Sequence, residues 1–190
     1  TASGISLAGC SFLLDFDQCS SDSDCPRVST CVDGICKEPN YVEVSDFISE
    51  DTTWTSDNVY VLENLVFVST PATLTIEPGT LILADKNGGL VTQRGAKLEA
   101  EGTRENPIVF TSSKPVGQRR AGDWLGLALI GQAKINRPNM TLRITEGEDD
   151  LIGGEEDTSD CGTLEYVRTE FGGGLIEGEG SYTQKNGPEC

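Results

Sequence analysis

Histidine is absent from all 190 residues, and methionine occurs once. The first absence removes the commonest general base and every histidine-dependent triad. No Gly-x-Ser-x-Gly elbow and no phosphate-cradling Gly-Lys loop is present either. Positive charge is scarce: 14 Lys and Arg stand against 31 Asp and Glu, a formal net charge of −17. Such a chain repels nucleic acid and anionic lipid headgroups. Aromatics make up only 6% of the residues, and no apolar run approaches membrane-spanning length. The expectation from these absences is a protein that is not an enzyme and carries no organic cofactor.

What is abundant is glycine, 22 residues, and short aliphatic runs between turn signals. Thr73 to Ser113 reads TLTIEPGTLILADKNGGLVTQRGAKLEAEGTRENPIVFTSS, with no helical period. A chain that winds through many short strands looks like this. Glu77-Pro78-Gly79-Thr80-Leu81-Ile82 is echoed sixteen residues on by Gln93-Arg94-Gly95-Ala96-Lys97-Leu98. A recurring turn-strand unit marks a solenoid. Strands are expected over 59–62, 65–68, 74–76, 81–83, 90–92, 97–99, 108–111, 125–130 and 164–169. Leu74, Ile76, Ile82, Leu98, Val109 and Leu127 are the expected inward ladder residues. Gly79, Gly95, Gly126 and Gly162 are expected at corners or close approaches. Residues 41–53 are expected to cap the first coil, since an open solenoid end invites edge-to-edge association.

Charge is uneven along the chain. Residues 1–60 carry eleven acids and two bases, residues 61–144 seven acids and ten bases, and residues 145–190 thirteen acids and two bases. Residues 131–160 are too long and polar for a plain corner and read as an excursion from the solenoid. They hold Glu148, Asp149, Asp150, Glu155, Glu156 and Asp157, with Glu146 and Asp160 nearby. Calcium takes six to eight oxygens from carboxylates and loop carbonyls, so these six are the candidate calcium ligands. The spacing is not that of an EF-hand loop, and a solvated charged loop is the competing reading. Arg94, Lys97, Arg119 and Arg120 form a candidate basic strip, and Tyr60, Phe67, Trp124 and Tyr166 are scattered candidate outward aromatics. Asn139-Met140-Thr141 is a glycosylation sequon by pattern alone.

Seven cysteines are present. Cys19, Cys25, Cys31 and Cys36 form a compact block rich in Ser, Asp, Pro and Gly, with few apolar residues to build a core. Something covalent must hold it. Zinc sites bring cysteines in close C-x2-C pairs, and none occurs here, so two disulfides are expected, with three pairings open. Cys161 and Cys190 make the natural third pair. Disulfides place the protein in an oxidising compartment. Cys10 remains. Leu7-Ala8-Gly9-Cys10 matches a lipobox, and Cys10 is either the site of lipid attachment or a bond to a partner chain. No charged n-region or full apolar segment precedes the motif.

From Trp54 onward the sequence resembles the N-terminal coils of bacterial surface proteins built on a right-handed parallel β-helix. The matching stretches are Leu74-Thr-Ile-Glu-Pro-Gly-Thr80, Arg94-Gly-Ala-Lys-Leu-Glu-Ala-Glu-Gly102, Glu105-Asn-Pro-Ile-Val-Phe-Thr-Ser112, Gly122-Asp-Trp-Leu-Gly126 and Gly162 to Gly172. The resemblance implies an exported protein at the outer membrane surface or beyond, often lipid-anchored, with no catalytic residues to carry over. The expected fold is all-β, a right-handed parallel β-helix with a small disulfide-rich N-terminal module. Residues 1–18 read as a leader or linker, 19–40 as the Cys-rich module with its connector, and 41–190 as the β-helix. The expected function is a cell-surface scaffold or adhesion protein whose partners are other surface or envelope proteins, or itself. The alternatives are a β-helix that binds or cleaves carbohydrate, and a structural subunit of a fibre or envelope complex.

Overall fold

Pro78-Gly79 and Arg94-Gly95 punctuate the aliphatic runs, and both glycines sit at positive φ, 85° and 82°. That conformation costs an L-residue and costs glycine nothing. Each such corner ends one strand and redirects the chain into the next, so strands stay short. The computed structural model describes residues 19–21, 24, 29–44, 47–135, 142, 143 and 151–174. The chain divides into two compact units, Thr1–Pro39 and Asn40–Cys190.

In the first unit β1 (Thr30–Val32) and β2 (Ile35–Lys37) pair as an antiparallel hairpin. Asp33 and Gly34 form its turn at φ 52° and 78°, the left-handed pair that matches strand twist. Cys19 is disulfide-bonded to Cys31, and Cys36 is disulfide-bonded as well. Of the expected bridging cysteines, Cys25 and Cys190 lie outside the described residues, as does Cys10.

The second unit is a three-sided solenoid. Face I contains β3 (Asn40–Glu43), β6 (Asn58–Leu62), β9 (Leu81–Ala84), β12 (Ile108–Ser112) and β17 (Val167–Thr169). Face II contains β4 (Phe47–Ile48), β7 (Leu65–Val68), β10 (Gly89–Thr92) and β13 (Gly126–Leu129). Face III contains β5 (Thr52–Trp54), β8 (Thr73–Ile76), β11 (Lys97–Glu101) and β16 (Gly162–Glu165). All pairings within the three faces are parallel, and the chain visits I, II and III in turn. This is a right-handed parallel β-helix. Between β13 and β16 the chain leaves the solenoid, and β14 (Leu142–Arg143) pairs antiparallel with β15 (Leu151–Ile152).

The core is a set of inward ladders. Leu62, Val66, Val68, Leu74, Ile82, Leu90, Leu98, Ile108 and Phe110 are fully buried. Each such side chain contributes roughly 1.5–3 kcal/mol of burial. Three expectations need correction. Val109 points outward, and its neighbours Ile108 and Phe110 carry the ladder. Residues 41–53 do not cap the first coil, because β3, β4 and most of β5 are that coil. The expected strand 164–169 is two strands, split at Tyr166, whose φ of 47° turns the corner. The sixteen-residue echo is not the coil: partners in β8 and β11 pair as Thr73↔Lys97. The echoed turns lie on different edges of the prism, 77–80 between faces III and I and 93–96 between faces II and III.

Candidate functional site

Polar side chains gather where β12 leaves face I. The loop from Ser113 to Leu125 is shaped by Asp123, whose side chain is 5% exposed. Its carboxylate accepts from Ser112 Oγ at 2.9 Å, Arg120 N at 2.9 Å and Lys114 Nζ at 2.5 Å. The Lys114 hydrogen bond, then that of the Arg120 amide, holds Asp123 down at a pKa of about 2. Trp124 beside it is fully buried, stacked on Phe110 with centroids 6.4 Å apart. Its indole N–H donates to the Glu170 carbonyl at 2.7 Å. Asp123 N and Gly174 N add bonds to Phe171 O and Trp124 O at 3.0 and 2.8 Å. The Asp-Trp pair thereby ties the loop to the segment after β17.

That tie assembles a short relay on the outer surface. Arg119 donates through Nε to Lys114 O at 2.8 Å and through a terminal nitrogen to Thr111 Oγ1 at 3.3 Å. Thr111 donates to a Glu170 carboxylate oxygen at 3.1 Å, and the other carboxylate oxygen is paired with Arg168. Arg168 foremost, then Thr111, holds the Glu170 carboxyl below its ordinary value. Ser113 bonds Asp85 at the same end of the face. A carboxylate clamped between guanidinium groups stays ionised at neutral pH and makes a poor proton donor.

Residues 46–187 match the family model of a pectate-lyase like β-helix domain. The chain belongs to this family. No curated protein and no solved structure matches it. Within this pectate-lyase-like domain the expected basic strip does not converge. Lys97 pairs with Asp160 at 2.5 Å, and Arg94 donates to the Gly153 carbonyl at 3.4 Å. Both fasten the excursion to the turn at 93–96. Arg119 belongs to the relay, and Arg120 contributes its backbone amide.

Of the candidate calcium ligands, Glu155 and Asp157 are exposed and each lies 3.7 Å from Lys134, and Glu156 is exposed. Glu148, Asp149 and Asp150 lie outside the described residues. Among the described residues no group of three or more Cys, Asp or Glu side chains is arranged to hold a metal ion. Cys161 is buried in the core and disulfide-bonded.

Of the expected outward aromatics, Phe67 and Tyr166 face outward, Tyr166 at 53% exposed. Tyr60 and Trp124 are buried, and Tyr60 stacks on Trp54 with centroids 4.6 Å apart. Phe67 instead meets Phe47 on the outside of face II, centroids 5.5 Å apart and planes within 21°. Phe47 is 62% exposed. Sequence reasoning missed Phe47, Thr111, Arg168 and Glu170. The Phe47–Phe67 pair carried a readable signal, since the two rings are one coil apart in register.

Proposed function

We propose that this β-helix is a non-catalytic scaffold of the cell exterior that acts by offering its lateral faces to other molecules. The observation that carries the reading is the Arg119–Thr111–Glu170–Arg168 relay, in which the carboxylate is engaged on both oxygens. Among the described residues Asp24, Asp123, Asp160 and Glu170 are displaced from their ordinary pKa, and all four are displaced downward. Hydrolysis of a glycosidic bond asks for a carboxyl displaced the other way, protonated at neutral pH to serve as the acid. The Arg119–Thr111–Glu170–Arg168 relay is therefore read as a lock on the last coil. The disulfides support export to an oxidising compartment. Attachment there falls to Cys10, as a lipid anchor or a bond to a neighbour. The intact mass of the protein from its source, before and after reduction, distinguishes the two. Release of reducing ends from neutral and acidic polysaccharides, with and without calcium, tests the central claim. The expected reading is no release, and release abolished by Glu170→Gln would overturn it.

A second reading, carbohydrate binding, is favoured by the family and by the Phe47–Phe67 pair, a flat apolar platform open to solvent. Retention on immobilised polysaccharide that is lost with Phe47→Ala would establish it. Calcium, assigned to Glu148, Asp149, Asp150, Glu155, Glu156 and Asp157, would bridge the acidic chain to an acidic polysaccharide, and retention would then vanish with chelator.

A further inference from the structure

The outward positions of face I form two columns. One runs Tyr41, Val59, Leu81, Val109, Arg168, and the other Glu43, Val61, Leu83, Thr111, with Glu170 following. The middle of the face is therefore apolar. Leu81, Leu83, Val61 and Val109 are half-buried, Val59 and Thr111 are buried, and Tyr41 is 46% exposed. The outer positions of face III, by contrast, carry Thr73, Thr75, Lys97, Glu99 and Glu165.

The two ends of face I differ in charge. At its start face I carries Glu43, and the turns of the same coil carry Glu50, Asp51, Asp57 and Glu63, with no Lys or Arg among the described residues of 40–63. At the far end stand Arg119, Arg120 and Arg168, the last paired with Glu170, while Lys114 is already neutralised by Asp123. The relay of two guanidinium groups and one carboxylate is net positive. A surface with an apolar middle and ends of opposite sign is self-complementary when turned end for end.

We propose that face I is the docking surface for a second copy of this chain, packed antiparallel. A two-fold axis running along β9 places Leu81 and Leu83 on the dyad. Tyr41 of each copy then lies over Arg168 of the other, a cation–π contact. Glu43 of each copy lies over Glu170 of the other, beside the Arg168 guanidinium paired with that carboxylate, in a relay that is net positive. The parallel alternative stacks the acidic ends on each other and is disfavoured by like-charge repulsion. Five strands about 4.8 Å apart make a face about 19 Å long, so the contact falls well short of the about 800 Å² per partner of a standard interface. The dimer is accordingly weak. The proposal goes beyond the scaffold reading by naming a face and an occupant. Polysaccharide cleavage is read by a separate assay, so either can fail alone.

Sedimentation equilibrium of the oxidised chain, from about 5 µM to about 500 µM in about 0.15 M salt, tests it. The mass is expected to climb from 20.3 kDa towards twice that value. Leu81→Asp sets two carboxylates against each other on the dyad and should hold the mass at the monomer. Glu43→Lys should weaken association about fivefold or more, and Glu43→Lys combined with Arg168→Glu should recover it. Glu43 and Arg168 are exposed and Leu81 is half-buried, and circular dichroism melts check that each variant folds. A monomer at every concentration overturns the proposal. So does a dimer indifferent to Leu81→Asp, or single charge variants that weaken association without recovery in the combined one.

Discussion

Replacing Trp124 by Ala removes the largest fully buried side chain from the last coil. The ring is packed between Phe110 and the backbone of 170–174; a Cβ on Gly172 would lie 3.5 Å from it. Truncating a buried Trp costs about 3–5 kcal/mol through lost burial and the cavity left behind. The Glu170 carbonyl also loses the indole donor, about 1 kcal/mol or more when the group cannot reach water. The expected loss is about 4–5 kcal/mol, a large share of the about 5–15 kcal/mol that holds a domain together. Trp124→Phe keeps most of the packing and forfeits the hydrogen bond, and should lose about 1–2 kcal/mol. Guanidinium unfolding followed by circular dichroism measures both, with Trp54 untouched in either variant. A loss below about 1.5 kcal/mol for Trp124→Ala, or equal losses for the two variants, would refute the claim that this side chain pins the loop to the last strand.

Four further outcomes follow from the same geometry. Asp123 is ordinarily at 3.8 in an unfolded chain and about 2 when folded, so the stability it contributes is full above pH 4 and is lost as pH falls towards 2. Asp123→Asn should flatten the acid limb of the stability curve in that window, and an unchanged limb would count against the pairing with Lys114. Gly162→Ala places a Cβ 2.2 Å from the Leu98 carbonyl at φ 102°, whereas Gly79→Ala meets nothing closer than 3.6 Å; Gly162→Ala should cost at least about 3 kcal/mol and Gly79→Ala about 1, a ranking that thermal melts would reverse if wrong. Thr92 faces inward with a buried hydroxyl that has no hydrogen-bond partner among the described residues, so Thr92→Val should raise stability by about 1 kcal/mol, and a loss would show that the hydroxyl is bonded. Peptide mapping without reduction should recover Cys19 linked to Cys31, and a Cys19–Cys25 linkage would contradict that bridge.

The fold was legible because a solenoid alternates short strands with turns. Positive-φ glycines at 79 and 95 and β-branched runs between them left few alternatives. Register was less legible. Val109 and its two neighbours are all apolar, so hydrophobicity alone does not say which faces the core. Tyr166 turns a corner that the runs on either side do not announce, because the left-handed conformation of a non-glycine residue is imposed by its surroundings. The polar relay was invisible for a different reason. Thr111 and Glu170 are far apart in sequence, and only the return of the chain after the excursion sets β17 on β12. The Asp123-Trp124 pair stood out in the sequence as part of a motif, and its role is to place that relay rather than to act in it.

Faces I and III show why a β-helix with few aromatics and no histidine still has specific surfaces. Inward positions are constrained by the core on all three sides, so differences between the sides are free to appear outside. Face III spends its outer positions on Lys97, Glu99 and Glu165, and Lys97 reaches Asp160 to hold the base of the excursion. Face I leaves its outer middle to Leu81, Leu83, Val61 and Val109. An apolar outer face on a chain of net charge −17 is costly to leave open, and a second copy of the same charge is repelled at long range. The basic patch around Arg119 and Arg168 is the local exception to that repulsion. It lies at one end of the apolar face, with acids at the other, and that ordering is the physical basis for orientation-specific contact.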